Sequence, residues 1–226
     1  MMKEALPKKL VIFGAGAIAE LAWFYFTHDS IYEVAAFAVD REYLTTGEFC
    51  GLPVIAFDEV ETHYSPSTHA LFVAVSYAGL NSLRQTKCAE AEAKGYALAS
   101  YLSSRATVWP GFVLGKNCFV LEDNTIQPFA RIGDNVTLWS GNHIGHHSRI
   151  ADHCFIASHV VISGGVDIGE RSFVGVNATI RDHVRIGARC VIGAGALITA
   201  DAEPDGVYTT PAAERSRVPS HKLRRI

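Results

Sequence analysis

From Val108 onward every sixth residue is aliphatic. The series runs Val108, Leu114, Val120, Ile126, Ile132, Leu138, Ile144, Ile150, Ile156, Ile162, Ile168, Val174, Ile180, Ile186, Ile192, Ile198. Two residues before these stand mostly small or apolar side chains, such as Cys118, Ala130, Val136, Cys154, Val160, Ala178 and Cys190. Glycine often follows, as at Gly115, Gly133, Gly145, Gly169, Gly175, Gly187 and Gly193. Helices repeat near 3.6 residues and strands at two, so neither makes a period of six. A hexapeptide repeat does, and it belongs to the parallel β-helix. Three hexapeptides close one triangular turn of 18 residues, and turns stack about 4.8 Å apart like strands of a sheet. About five turns are expected, with no long insertion.

Before this run the pattern is different. Leu10 to Phe13 is a short apolar strand ending in Gly14-Ala15-Gly16, followed by a helical stretch to about Phe26. Val34 to Val39 is a second strand ending at Asp40, Ala70 to Val75 a third, and Asn81 to Lys94 a helix closed by Gly95. Strands alternating with helices predict a parallel α/β sheet. The expected fold is thus a small Rossmann-like domain over 1–102 and a left-handed parallel β-helix with a C-terminal tail over 103–226.

Composition narrows the class of function. The 226 residues are 49% hydrophobic and 19% charged, as in a globular protein, and a net charge of −3 offers nucleic acid no general attraction. No apolar stretch nears the ~20 residues that span a bilayer. Met1 to Lys9 carries positive charge without a following apolar stretch and cleavage site, so the expected location is the cytoplasm, with no membrane partner. Of five cysteines, Cys118, Cys154 and Cys190 stand two turns apart on one inner edge, which makes them core rather than ligands.

Candidate chemistry clusters in two places. Gly14-Ala15-Gly16-Ala17-Ile18-Ala19 is a GxGxxA loop between a strand and a helix, where backbone N–H groups can hold phosphate, and Asp40 ends the next strand. Ser76, Tyr77, Asn81 and Arg84 follow the third strand and are candidates to finish that pocket, or else form a loop and solvated helix start. The second cluster is histidine-rich: segment 140–159 holds His143, His146, His147, His153 and His159. A histidine suits proton abstraction near neutral pH. By repeat phase Asn142 points inward above Asn124, an expected buried amide ladder. His153 and His159 read as corner packing, and with no carboxylate or cysteine completing a set, no metal is expected.

The glycine-rich start, the short α/β domain and a hexapeptide run with a central histidine motif together resemble the sugar O/N-acyltransferases of sialic acid, bacillosamine and perosamine pathways. The resemblance spans nearly the whole chain. It implies a homotrimer in which the N-terminal domain holds the nucleotide of an NDP-amino-sugar and the β-helix holds acetyl-CoA at a subunit interface. The family motif Glu-His-(Asp/Glu)-Cys-x-Ile-Gly falls on Gly145-His146-His147-Ser148-Arg149-Ile150-Ala151. It assigns the general base to His146. By repeat phase His143 and His147 also point outward near that corner and are further catalytic candidates, as a support for the base or a substrate contact. A second family histidine falls on Phe155. Backbone contacts to CoA map to Val176 and Ala194, with Gly175 and Gly193 beside them. The basic segment Arg215 to Arg225 is either a contact for CoA phosphates or a solvated tail, and Pro211-Ala212 resembles the close of many such transferases.

The implied activity is acetyl transfer from acetyl-CoA to the amino group of a nucleotide-linked deoxysugar for O-antigen, lipopolysaccharide, capsule or glycoprotein glycans. The rivals are O-acetylation of a sugar hydroxyl, a non-catalytic hexapeptide scaffold, and an NAD-binding regulator.

Overall fold

The computed structural model describes residues 9–215 and 217–222. The N-terminal part is a five-stranded sheet. Strand β1 (Lys9–Phe13) leads into helix α1 (Ala17–His28), then β2 (Glu33–Val39). A hairpin, β3 (Glu48–Phe49) with β4 (Leu52–Ala56), precedes the short helix α2 (Val60–His63), strand β5 (His69–Val73) and helix α3 (Ser82–Ala93). The order is β3-β4-β2-β1-β5, all parallel except β3 against β4. Their near-continuous apolar runs suit strands covered on both faces, and Leu10, Val11 and Ile12 are wholly buried.

From Tyr101 the chain winds as a solenoid. One face carries seven two-residue strands, from Tyr101–Leu102 through Phe119–Val120, Thr137–Leu138, Phe155–Ile156 and Phe173–Val174 to Val207–Tyr208. The second face carries six, Thr107–Val108 to Leu197–Ile198, and the third four, Arg131–Ile132 to Arg185–Ile186. Every pair is parallel and almost every register step is 18 residues, as in Phe119↔Thr137↔Phe155. The final step is 16, from Val191 to Val207, so the last turn is two residues short. The expected aliphatic positions form the axial core, and only Val108 and Leu114 in the first turn are half-buried. The repeat begins one hexapeptide earlier than the sequence pattern showed, at Leu102. The left-handed parallel β-helix behind a small α/β sheet is the architecture expected.

Each turn changes direction at residues with a left-handed backbone. Asn117, Asp123, Asn135, His147, His153, His159, Asn177 and His183 all have φ between 50° and 62°. Asn, Asp and His are the non-glycine residues most at ease there. Cys118, Cys154 and Cys190 are fully buried, and their thiols point at the carbonyls of Gly133, Gly169 and Glu203 at 3.0–3.2 Å. Burial pushes the Cys118 and Cys154 thiols up to about 12, which leaves them inert. Asn124 and Asn142 are buried as expected, and both donate to the Trp139 carbonyl.

The sheet packs against the first solenoid face. Phe72 meets Phe119 at 5.4 Å between ring centroids, and Phe119 and Leu121 belong to the same buried cluster as Leu10 and Phe26. Asn117 uses its amide as a strand substitute on β5, accepting from the Val73 N–H at 2.7 Å and donating back to its carbonyl. Tyr25 and Tyr101 donate to Glu122 and Asp29 across the seam.

Candidate functional site

The first cluster forms where β1 parts its neighbours, with β2 on one side and β5 on the other. That switch point opens a crevice at the carboxyl ends of the strands. A cavity of about 450 Å³ lies there, lined by Gly14, Ala15 and Gly16 after β1, Val39 and Asp40 after β2, and Val75 after β5. Gly14 has φ of 122°, and a Cβ there would stand 2.7 Å from the Ala74 carbonyl oxygen, so this position tolerates no side chain. Ala19 is fully buried against it, the close helix–strand contact the third motif position requires. Asp40 is fixed by a residue not expected from sequence: Lys87 on α3 donates to it at 2.7 Å and to Glu90 at 2.8 Å. Burial draws the Lys87 ammonium down, but those two bonds outweigh it, and its pKa is raised.

Ser76 and Tyr77 stand exposed on the loop after β5 and are not among the residues lining the cavity. Tyr77 leaves the pocket for the solenoid, where its ring lies 5.0 Å from Phe155 and 4.9 Å from Phe173. Arg84 does not join the pocket either. It points into the first solenoid face, donating to Thr137 Oγ1 at 2.7 Å, the Asn135 carbonyl at 2.8 Å and the Cys154 carbonyl at 3.2 Å. Burial without a carboxylate partner lowers its pKa to about 10. Asn81, fully buried at the start of α3 with φ of 63°, is not among the lining residues.

The second cluster sits on the corner between the second and third faces. His143 lies on a second-face strand and is half-buried; His146 and His147 form the corner itself and are exposed. The His146 backbone N–H donates to Gln127 Oε1 at 2.9 Å from the turn below. Its ring lies against Gly164 in the turn above, where a Cβ would come within 2.7 Å of it. His147 turns back so that its Nδ1 is 3.1 Å from His146 Nδ1, and its ring lies 4.7 Å from Phe129. Gln127, Phe129 and Gly164 escaped the sequence reading because each acts from 18 or so residues away. The repeat length itself was the signal that joined them. His159 lies over Gly141, and His153 bonds Asn135 at 3.0 Å, both as corner packing.

The positions expected to meet CoA lie on the corner between the first and second faces. Gly175 and Gly193 spend their N–H groups on the Ile192 and Tyr208 carbonyls of the next turn. Val176 is exposed, and the Ala194 carbonyl accepts from Thr210. Arg215, Arg217 and Lys222 are exposed, and Arg224 and Arg225 lie outside the described residues. Among the described residues no group of three or more metal-ligating side chains occurs, and no helix is long and apolar enough to cross a membrane.

Residues 129–164 and 165–200 match the model of the bacterial transferase hexapeptide (six repeats). The chain carries the repeat of the bacterial transferases. Likeness to solved structures extends over 88% of it. The acetyltransferase domain of PglB from Neisseria gonorrhoeae is 29% identical, with a TM-score of 0.78 and 94% of that chain covered. PerB from Caulobacter crescentus, solved in complex with CoA and GDP-perosamine, is 28% identical, with a TM-score of 0.78 and 92% covered. WeeI from Acinetobacter baumannii, at 17% identity and a TM-score of 0.68, shares the fold. No curated protein sequence matches. The resemblance to the sugar acyltransferases therefore holds in repeat and in architecture.

Proposed function

We propose that this chain is an acetyl-CoA-dependent N-acetyltransferase acting on the amino group of a nucleotide-linked amino-deoxysugar, in the building of bacterial surface glycans. The observation that carries the reading is His146. It is exposed on a solenoid corner, its backbone N–H bonded to Gln127 and its ring against Gly164, in a chain built like an acetyltransferase domain and a perosamine N-acetyltransferase. The glycine-lined cavity at the switch point supports the nucleotide half. The sheet ends at β5, whose outer edge is occupied by Asn117 and Leu98, so no second mononucleotide half can extend it as a dinucleotide would require.

In this reading the amine lone pair attacks the thioester carbonyl carbon. His146 Nε2 takes the proton the nitrogen sheds, and a backbone N–H at a corner stabilises the oxyanion. Collapse of the adduct breaks the C–S bond, and the same proton goes to the departing CoA sulfur.

The reading also needs a second copy of the chain. The sheet domain packs on the first face, whereas His146 lies on the corner opposite that face. A pocket from one copy and a histidine from the next would complete each site, and the resemblance implies a trimer. Light scattering measures it directly.

The test is CoA-thiol release with acetyl-CoA over a panel of UDP-, GDP- and dTDP-linked 4-amino-6-deoxysugars. One acceptor is expected to turn over, and His146→Ala to cut kcat by about 10²- to 10⁴-fold. Full turnover in the mutant, or no turnover with any amino sugar while CoA still binds, overturns the proposal.

A further inference from the structure

His146 and His147 are neighbours in sequence, and in a continuing strand their side chains would point to opposite faces. The φ of 60° at His147 breaks that alternation and folds its ring back beside His146. The rings meet edge-on, 5.3 Å apart at 84°, with the two Nδ1 atoms at 3.1 Å. At that distance one nitrogen must carry a proton and the other must not, since two lone pairs or two N–H groups would repel. The turns below and above hold both rings, Phe129 against His147 and Gly164 over His146. Among the described residues neither ring makes an ion pair with a carboxylate; the ion-paired histidine is His183. The charged or titratable groups around this corner are Arg131 one turn below, His143 and Arg149 on the same turn, Asp167 one turn above, where it pairs with Arg149, and Asp182 and His183 two turns above; Gln127, Gly164 and Gly165 are neutral.

Resting on the reading of His146 as base, we infer that His147 is its positioning residue, a neutral imidazole doing what a carboxylate does in a carboxylate–histidine pair. His147 carries its proton on Nε2 and accepts at Nδ1 the Nδ1–H of His146. That bond fixes the tautomer of His146 and leaves its Nε2 lone pair free for the acceptor amine. When Nε2 takes the amine proton, the imidazolium keeps donating to His147, and no second proton moves. The proton on Nε2 then leaves with the CoA sulfur, which restores the starting pair.

Two variants keep the backbone, because Asn and Asp both accept a left-handed φ. His147→Asn is expected to lower kcat by about 10- to 100-fold with little change in either KM, since it loosens the base without touching substrate. His147→Asp is expected to recover most of the rate and to move the acidic limb of kcat/KM to higher pH by about one unit, because a carboxylate favours the protonated ring. A second readout needs no activity. Long-range ¹H–¹⁵N spectra of histidine-labelled protein, assigned with His146→Ala and His147→Asn, should show His146 as the Nδ1–H and His147 as the Nε2–H tautomer. An unchanged kcat in His147→Asn, an Nε2–H tautomer at His146, or rate lost to a chelator and restored by Zn²⁺ each overturns the inference. If His146→Ala leaves turnover intact, the reading of the base fails, while the tautomer spectrum still decides the pair.

Discussion

The two halves of the chain obtain long-range order in opposite ways. In the solenoid each strand finds its partner at a fixed distance along the chain, Phe119 with Thr137 and Thr137 with Phe155. In the sheet one strand must find partners at unrelated distances, Lys9 beside Glu33 on one side and beside His69 on the other. The first arrangement makes stability close to a sum of nearest-neighbour terms. The second makes the sheet a single cooperative unit. The proposed function follows the same division. On the solenoid, chemistry is a local departure from a repeat, as when His146-His147 occupies a corner. In the sheet, chemistry is placed by topology, at the point where β1 parts β2 from β5.

Three experiments press on that contrast. Phe37 is fully buried at the centre of the sheet, and Ile156 equally so in the middle of the solenoid. Phe37→Ala should cost about 3–5 kcal/mol and Ile156→Ala about 2–5 kcal/mol. The sharper difference lies in amide exchange. Phe37→Ala should speed exchange across β1, β2 and β5 together, whereas Ile156→Ala should speed it mainly in the turns stacked on Ile156, around Leu138 and Val174. Uniform loss of protection along the whole solenoid would erase the distinction.

Arg84 joins the two halves. Arg84→Met keeps the apolar stem but leaves the buried Asn135 carbonyl without its donor. A loss of about 1–3 kcal/mol is expected, read as an earlier separation of the sheet transition from the solenoid transition in denaturant. A single transition with an unchanged midpoint would show that the aromatic seam alone couples them.

The smallest effect concerns His153, half-buried beside α3, whose pKa burial lowers from 6.5. The unfolded chain then binds the proton more readily than the folded one. Stability is therefore full above about pH 6.5 and declines as pH falls from there toward the lower folded value. His153→Asn, which suits the φ of 62°, should flatten this decline in melts between pH 7.5 and 5. A slope unaltered by the substitution would assign it to other groups.

How legible each half was follows from the same contrast. The solenoid was readable because its instruction repeats: Ile144, Ile162 and Ile180 report one geometry, and the phase alone put Asn142 inward and His146 on a corner. The first hexapeptide was missed because Leu102 lies where the sheet and solenoid share a seam. In the sheet, β1, β2, β5 and α3 were readable from apolar runs and glycine stops. The β3–β4 hairpin was not, since Pro53 interrupts a short strand with little alternation. Arg84, Lys87 and Tyr77 were beyond local pattern, because what each one does depends on an element 47 to 96 positions away, from Asp40 to Phe173. The His146–His147 contact was hidden for another reason. Neighbouring residues in a strand diverge, and only the backbone angle at the corner reverses that rule.

The 18-residue turn makes the molecule a ruler. Moving a side chain by one turn carries it about 4.8 Å along the axis with little change in the direction it faces. The sheet domain is pinned to particular rungs by Asn117 and Arg84, and His146 stands on the rung whose first-face strand begins at Thr137, the residue Arg84 holds. The height of the proposed base relative to the glycine-lined crevice is therefore counted in whole turns. Gain or loss of one turn between the anchor and His146 would change the distance from that histidine to the crevice by a fixed increment and leave the geometry of the corner as it is.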